Sequence, residues 1–169
     1  WLAGGTRTDS YRSSTALGTL GEIKKSDAIV LRIEGTPSKK PPLLHRASYD
    51  AYVDQSWLAI NARFEGAVQE TKENWPLRGD SPGMASNTLV IHDFSPVGNP
   101  VLSLPAGTTR LTSLQALGVR QNGLGTVQAE RPAGYFDYVA HVDEDAAVEP
   151  PPRTSDLRLP AGESVILKR

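Results

Sequence analysis

Residues 29–34, with the sequence I-V-L-R-I-E, constrain the fold of this chain more than any other segment. The first, third and fifth of these side chains are expected on one face of an extended chain, and the other three on the opposite face. This period of two is typical of a half-buried strand. The Gly- and Pro-rich residues 35–42 come next and predict a surface loop, because prolines remove the donors of a strand ladder.

Similar short segments recur along the chain, separated by turn residues. Strands are predicted at residues 43–53, 58–64, 89–94, 100–104, 125–129 and 135–142. In the last of these, Phe136, Tyr138, Ala140 and Val142 are predicted to share one face, opposite Tyr135, Asp137, Val139 and His141. The polar residues 54–56 and the R-P-A-G sequence at 131–134 are both predicted to close hairpins. Many short strands with almost no helical period predict an all-β fold, an antiparallel β-sandwich or a strongly twisted β-sheet with at most short helices.

Two segments do not fit this pattern. Residues 65–86 contain several Gly, Pro, Asn and Asp residues and no period, which predicts a long loop. Leu111, Leu114 and Leu117 have a spacing that suits either one helical turn or an irregular strand, and both interpretations stay open.

Three parts of the chain differ in composition. Residues 1–16 are rich in Thr, Ser, Gly and Arg and are interpreted as an N-terminal arm or linker. Residues 17–143 carry the strand patterns and are assigned to one β domain. Residues 144–169 are interpreted as a Pro-rich tether and the start of a helix that leads to a following domain. Both ends are expected to continue into a longer protein.

Composition excludes several classes of function. The 169 residues are 38% hydrophobic and 22% charged with a net charge of -1, so the chain lacks the surplus of Lys and Arg that binding to nucleic acid requires. The absence of Cys excludes a Cys nucleophile, a disulfide and a Cys-based zinc site within these residues. No apolar run approaches the roughly 20 residues needed to span a bilayer.

No motif predicts a catalytic residue, a metal site or a cofactor. His45, His92 and His141 do not share a metal-ligand spacing such as HxH or HExxH. Ser81 lies in a G-D-S-P-G sequence that formally fits the elbow of a serine hydrolase. However, Pro82 lacks the backbone N–H that an oxyanion hole would use there, so a small hydrolase at Ser81 is the weakest alternative.

An aromatic group is the main candidate for ligand binding. Tyr49, Asp50, Tyr52 and Trp57 lie close together in sequence and suit a platform for a glycan or a peptide. Aromatic residues at such spacing more often fill a core or brace a hairpin, and that structural interpretation is favoured.

Residues 21–33 have the sequence G-E-I-K-K-S-D-A-I-V-L-R-I, and residues 44–52 have the sequence L-H-R-A-S-Y-D-A-Y, with Trp57 five residues further on. Through these two segments, residues 17–57 resemble the extracytoplasmic segment of bacterial membrane-anchored transglutaminase-like proteins, the TgpA-type family. Residues 21–33 match the family pattern G-x-L-x-x-S-D-x-x-V-L-R-V, through Ser26-Asp27 and Arg32 in particular. Residues 44–52 and Trp57 correspond to its L-R-x-x-x-Y-D-x-Y-D-G-x-x-W pattern. The chain departs from that pattern at residues 53–57, where the turn glycine of the family is missing.

The resemblance implies a placement for this chain. It would be a non-catalytic, mainly β domain outside the cytoplasmic membrane, in the periplasm or at the cell surface, tethered through the parent protein. Its partner would be the transglutaminase-like core of the same polypeptide, whose Cys-His-Asp triad would lie beyond Arg169. The domain would position that core or contribute to binding of a substrate or partner. The alternative is a stand-alone cell-envelope module that binds a glycan such as peptidoglycan, or a peptide, through the Tyr49 to Trp57 face.

Overall fold

The computed structural model of the chain is built from antiparallel β-strands, as the sequence predicts. The structure describes residues 14–16, 31–35, 43–53, 56–60, 63–77, 87–131 and 133–143, and these residues form thirteen strands and no helix. The strands are β1 Ser14–Ala16, β2 Leu31–Gly35, β3 Leu44–His45, β4 Ala51–Val53, β5 Ser56–Leu58, β6 Phe64–Gly66, β7 Asn74–Pro76, β8 Asn87–Ser95, β9 Leu104–Pro105, β10 Thr108–Thr112, β11 Gly118–Asn122, β12 Val127–Glu130 and β13 Gly134–Val142.

The chain divides into two units. One comprises residues 1–28, 49–60 and 151–169, and the other comprises residues 29–48 and 61–150. In the first unit, β1, β5 and β4 form a three-stranded antiparallel sheet in that order. Strands β4 and β5 are a hairpin in which Val53 lies opposite Ser56, so two residues suffice for the connection without a glycine.

The second unit contains two larger sheets and one small one. The five-stranded sheet has the order β2-β8-β13-β10-β7, and the three-stranded sheet has the order β12-β11-β6. Strands β3 and β9 pair separately. All of these pairings are antiparallel, and one hydrophobic cluster contains side chains from both larger sheets, as in a β-sandwich.

The two longest strands, β8 and β13, contribute to this core because every second side chain points into it. In β13, Phe136, Tyr138, Ala140 and Val142 are buried, whereas the residues between them are exposed or half-buried. Strand β8 pairs with β13 over nine residues, from Ser95 opposite Gly134 to Asn87 opposite Val142, and it alternates in the same way. The prediction that β13 has one apolar face is therefore confirmed.

The hairpin between β11 and β12 is closed by local hydrogen bonds. The Asn122 side-chain oxygen accepts hydrogen bonds from the amides of Leu124 and Thr126, at 3.0 and 2.9 Å. Gly125 has a φ of 80°, a left-handed conformation that glycine adopts without a steric penalty. An asparagine side chain of this kind replaces backbone bonds that the tight turn leaves unmade.

Several predictions about connections are wrong. Residues 131–134 do not close a hairpin, because β12 pairs with β11 while β13 pairs with β8 and β10. The strand predicted at 58–64 is replaced by β5 and β6, which belong to different sheets. Residues 65–86 are not one long loop, because β6 reaches Gly66 and β7 pairs with β10. Residues 78–86 lie outside the described part.

The ambiguous segment around Leu114 is neither a helical turn nor a single strand. It is the connection between β10 and β11, where the left-handed Ser113, with a φ of 58°, redirects the chain. Leu111 and Leu114 are fully buried, but Leu117 is 86% exposed. The three leucines therefore do not share one face.

The buried hydroxyl of Tyr138 makes two hydrogen bonds, and we expect their removal to lower the stability of the fold. It donates a hydrogen bond to the Ser103 carbonyl at 2.8 Å and accepts one from the Ser103 amide at 3.1 Å, inside the core. Tyr138→Phe leaves both backbone groups buried without this partner, so we expect the free energy of unfolding to fall by about 1–3 kcal/mol. Urea unfolding of the full chain measures this change.

Tyr135→Phe on the same strand is the matched control. Its side chain is 85% exposed, so the same substitution there is expected to change the free energy of unfolding by less than about 0.5 kcal/mol. Equal effects of the two substitutions would contradict the role of the Tyr138 hydroxyl.

Candidate functional site

A depression of about 320 Å³ lies where β2, β8 and β13 adjoin. Because the core-facing residues of β8 are the odd-numbered ones, His92 and Phe94 project from the opposite face of the sheet. The strand register places Arg32 beside His92 on one side and Asp137 beside His92 on the other. The remaining lining residues are Leu31, Glu34, Asp93 and Tyr135.

His92 lies between two carboxylates. Its Nδ1 is 2.7 Å from Asp137 Oδ1, and because an ionised carboxylate can only accept, Nδ1 donates this hydrogen bond. Its Nε2 is 3.6 Å from Glu34 Oε1, too far for a hydrogen bond, and has no hydrogen-bond partner among the described residues. Both carboxylates are more than half exposed, so they carry negative charge toward solvent.

Two aromatic rings form the neighbouring part of the wall. Phe94 and Tyr135 are opposite each other in the register of β8 and β13, and their ring centroids are 4.7 Å apart at an interplanar angle of 47°. Tyr135 is 85% exposed, although it rests on Phe94. The site therefore combines a supported aromatic surface with charged side chains.

A partly buried ion pair lies next to this face. Asp93 is 3% exposed; its Oδ2 is 3.3 Å from Arg46 Nη2, and its Oδ1 accepts a hydrogen bond from the Phe94 amide at 2.8 Å. Burial raises the pKa of Asp93 above its ordinary value, although Arg46, the Phe94 amide and Arg131 act in the opposite direction. Arg131 packs over the Phe136 ring at 4.1 Å, and burial lowers the pKa of its guanidinium.

The other two histidines make separate local contacts. His45 Nε2 is 2.8 Å from Ser48 Oγ, and His141 Nε2 is 2.9 Å from Thr112 Oγ1. Burial, with a smaller contribution from Arg110, lowers the pKa of His141. No group of three or more His, Asp or Glu in the described part of the chain has an arrangement that could hold a metal ion.

The residues predicted for ligand binding fall in the first unit. Tyr49 and Asp50 precede β4, Tyr52 lies within it, and Trp57 is the register partner of Tyr52 on β5. Asp50 stabilises the hairpin, because its Oδ1 accepts a hydrogen bond from the Ile60 amide at 2.7 Å. Trp57 is 42% exposed. A structural role is therefore visible for Asp50, while ligand binding by the group stays a prediction.

Sequence reasoning missed the side chains that line the depression. Of the three carboxylates in the lining, only Asp93 is near His92 in sequence, yet the one that bonds to His92 belongs to Asp137, 45 residues away. The available signal was the outward alternation of Arg32 and Glu34 in β2 and of Tyr135 and Asp137 in β13. That pattern shows which residues face solvent, but only the strand order brings these two strands to either side of β8. Ser81 lies outside the described residues.

Comparison of this chain with protein-family models, with curated proteins and with solved structures finds no match. The resemblance to the TgpA-type family consequently stays a prediction based on the residues that carry it. Within the described residues, no helix has the length and apolar character needed to cross a bilayer.

Proposed function

We propose that this chain is a non-catalytic extracytoplasmic β domain of a membrane-anchored transglutaminase-like or cysteine-protease-like protein. Its role is to position the catalytic core of that protein or to contribute to the binding of a substrate or partner. The sequence support is the match of residues 21–33, 44–52 and Trp57 to the TgpA-type patterns.

The environment of His92 carries the non-catalytic part of this proposal. A Ser-His-Asp site needs a nucleophile at the imidazole nitrogen opposite the one that bonds to the carboxylate. In the His92–Asp137 pair, that nitrogen faces a second carboxylate, Glu34, at 3.6 Å. His45 does contact a serine hydroxyl, but within the described part of the chain no acidic side chain bonds to its ring as the third member of a triad would. The His92–Asp137 contact joins β8 to β13, and the His45–Ser48 contact is local to the end of β3 and the residues that follow it, so both support a structural role over acyl transfer.

The sequence of the gene on either side of this segment tests the proposal directly. We expect membrane-spanning helices encoded upstream and a transglutaminase-like core with a Cys-His-Asp triad encoded downstream. Absence of both would contradict the proposed placement.

A deletion variant tests the role of the domain. Deletion of residues 31–143 from the full-length protein is expected to reduce turnover of its substrate, while the catalytic core is still found in the membrane fraction.

A second candidate function is a cell-envelope module that binds a glycan or a peptide. The observation in its favour is the partial exposure of Trp57, next to Tyr52 in the hairpin register. Titration of the chain with soluble peptidoglycan fragments is expected to change tryptophan fluorescence, and Trp57→Ala is expected to abolish that change. An unchanged fluorescence signal from the folded protein would argue against this function.

A further inference from the structure

The depression between β2, β8 and β13 has the composition of a site for a planar cation. Glu34 and Asp137 supply two exposed carboxylates, one from each side of His92, and the ring of Tyr135 supplies an exposed face. The two exposed carboxylates outnumber the single guanidinium of Arg32, and the charge of the buried Asp93 is compensated by Arg46, so the exposed charges sum to about -1 and favour a positively charged ligand.

The spacing on β13 suits a guanidinium group in particular. Tyr135 and Asp137 are two residues apart on the same face of the strand, so their side chains emerge roughly 6.5–7 Å apart. A guanidinium stacked on the Tyr135 ring can direct its N–H groups at the Asp137 carboxylate. Such stacking together with paired hydrogen bonds distinguishes arginine from lysine, whose ammonium group is a point charge. The protein already contains one stacked arginine, because Arg131 lies over Phe136 on this same strand.

The two carboxylates keep binding capacity for such a ligand. Asp137 uses Oδ1 to accept from His92, and its Oδ2 has no partner among the described residues. Glu34 makes no hydrogen bond within the described part of the chain, and its Oε1 is 3.6 Å from His92 Nε2. The hydrogen bond from His92 also fixes the Asp137 carboxylate beside the aromatic pair, which reduces the entropy lost on binding.

We propose that this depression binds the guanidinium of an arginine side chain presented by a partner protein or peptide. Asp137 and Glu34 accept its hydrogen bonds, Tyr135 stacks on its plane, and Arg32 opposes binding by charge repulsion. The inference rests on the proposed function, because it names the chemistry of the partner that a non-catalytic domain would recognise.

An NMR titration of the full chain tests this site. The probe is acetyl-Gly-Arg-Gly-amide, and the comparison is the same peptide with citrulline, a neutral side chain of nearly the same shape. We expect amide shifts centred on Glu34, His92 and Tyr135, with at least fivefold weaker binding of the citrulline peptide. Equal affinity for the two peptides would overturn the proposal, as would tighter binding of acetyl-Gly-Glu-Gly-amide.

Variants separate the site from general electrostatic attraction. Asp137→Asn and Tyr135→Ala are each expected to weaken binding of the arginine peptide at least threefold, whereas Arg32→Ala strengthens it. Glu130→Gln is the matched control, since it removes one exposed carboxylate on the other sheet. If Glu130→Gln weakens binding as much as Asp137→Asn does, the attraction is not specific to the depression. The spectrum of each variant shows whether it is folded.

Failure of the arginine-binding site and failure of the proposed function give different results. If the flanking sequence encodes a transglutaminase-like core but the arginine peptide does not bind, only this inference fails. If the peptide binds at the depression but no such core is encoded, the site stands and the proposed placement fails.

Discussion

Leu114→Ala lowers the free energy of unfolding by about 2–5 kcal/mol, because it removes a large side chain from the core and leaves a cavity. Leu114 is fully buried in the connection between β10 and β11, and its carbonyl accepts a hydrogen bond from the Trp75 indole at 3.4 Å. This hydrogen bond uses the backbone and is kept in Leu114→Ala, so the loss comes from packing within the hydrophobic cluster that also contains Trp75. Urea unfolding of the full chain, followed by circular dichroism and by tryptophan fluorescence, measures the change.

Leu117→Ala is the control for this prediction, because it is the same substitution three residues further along. Its side chain is 86% exposed, so the free energy of unfolding is expected to change by less than about 0.5 kcal/mol. A loss at Leu117 as large as that at Leu114 would contradict the burial of these two residues in the structure.

These leucines also show where sequence reasoning reaches its limit in this fold. Alternation predicted the two faces of β13 correctly, because the side chains of a strand alternate whatever the strand pairs with. The spacing of Leu111, Leu114 and Leu117 did not predict which of these side chains are buried, because the left-handed Ser113 interrupts the regular backbone between the first two. Local periodicity is informative only while the backbone conformation stays regular.

Strand partners were harder to predict than strands. A turn composition at residues 131–134 favours a hairpin between its neighbours, yet β13 pairs with β8 and β10 instead. The nine-residue pairing of β8 with β13 buries every second residue of both strands, whereas β12 is only four residues long. Such non-local pairing depends on the whole core and not on the turn.

The candidate site depends on this non-local order in the same way. Alternation was sufficient to place Tyr135 and Asp137 on one outward face, but not to place Arg32 and Glu34 two strands away on the same sheet. The burial of Asp93 could not be predicted from the sequence either. It occupies a core-facing position of β8, where an apolar residue is expected, and Arg46 from a distant segment compensates its charge.

Arg46→Ala is expected to destabilise the protein in a pH-dependent manner. At pH 7 the free energy of unfolding should fall by about 2–3 kcal/mol, because the substitution leaves the ionised Asp93 buried without its cation. This loss is below the ~3–5 kcal/mol of a fully buried pair, since the Arg46 side chain is 26% exposed and solvent screens part of the interaction.

The sign of the pH dependence follows from the pKa of Asp93. Burial already raises this pKa in the folded protein, so the carboxyl group favours the folded state most when it is protonated, and this contribution is lost as the pH rises through the folded pKa. Removal of Arg46 raises the folded pKa further. The difference between wild type and Arg46→Ala should therefore be small near the ordinary pKa of an aspartate and should grow toward neutral pH. Urea unfolding at pH 4.5 and pH 7 measures this growth.

Two further variants complete this test. Arg120→Ala is the matched control, because Arg120 pairs with Glu130 at 3.6 Å on the surface and both side chains are almost half exposed, so a change below about 0.5 kcal/mol is expected. Adding Asp93→Asn to Arg46→Ala removes the buried charge, so the double variant should lose the pH dependence and recover part of the stability at pH 7. A loss that is the same at both pH values, and that Asp93→Asn does not relieve, would mean that Arg46 acts through its 3.2 Å hydrogen bond to the Val101 carbonyl and not through its charge.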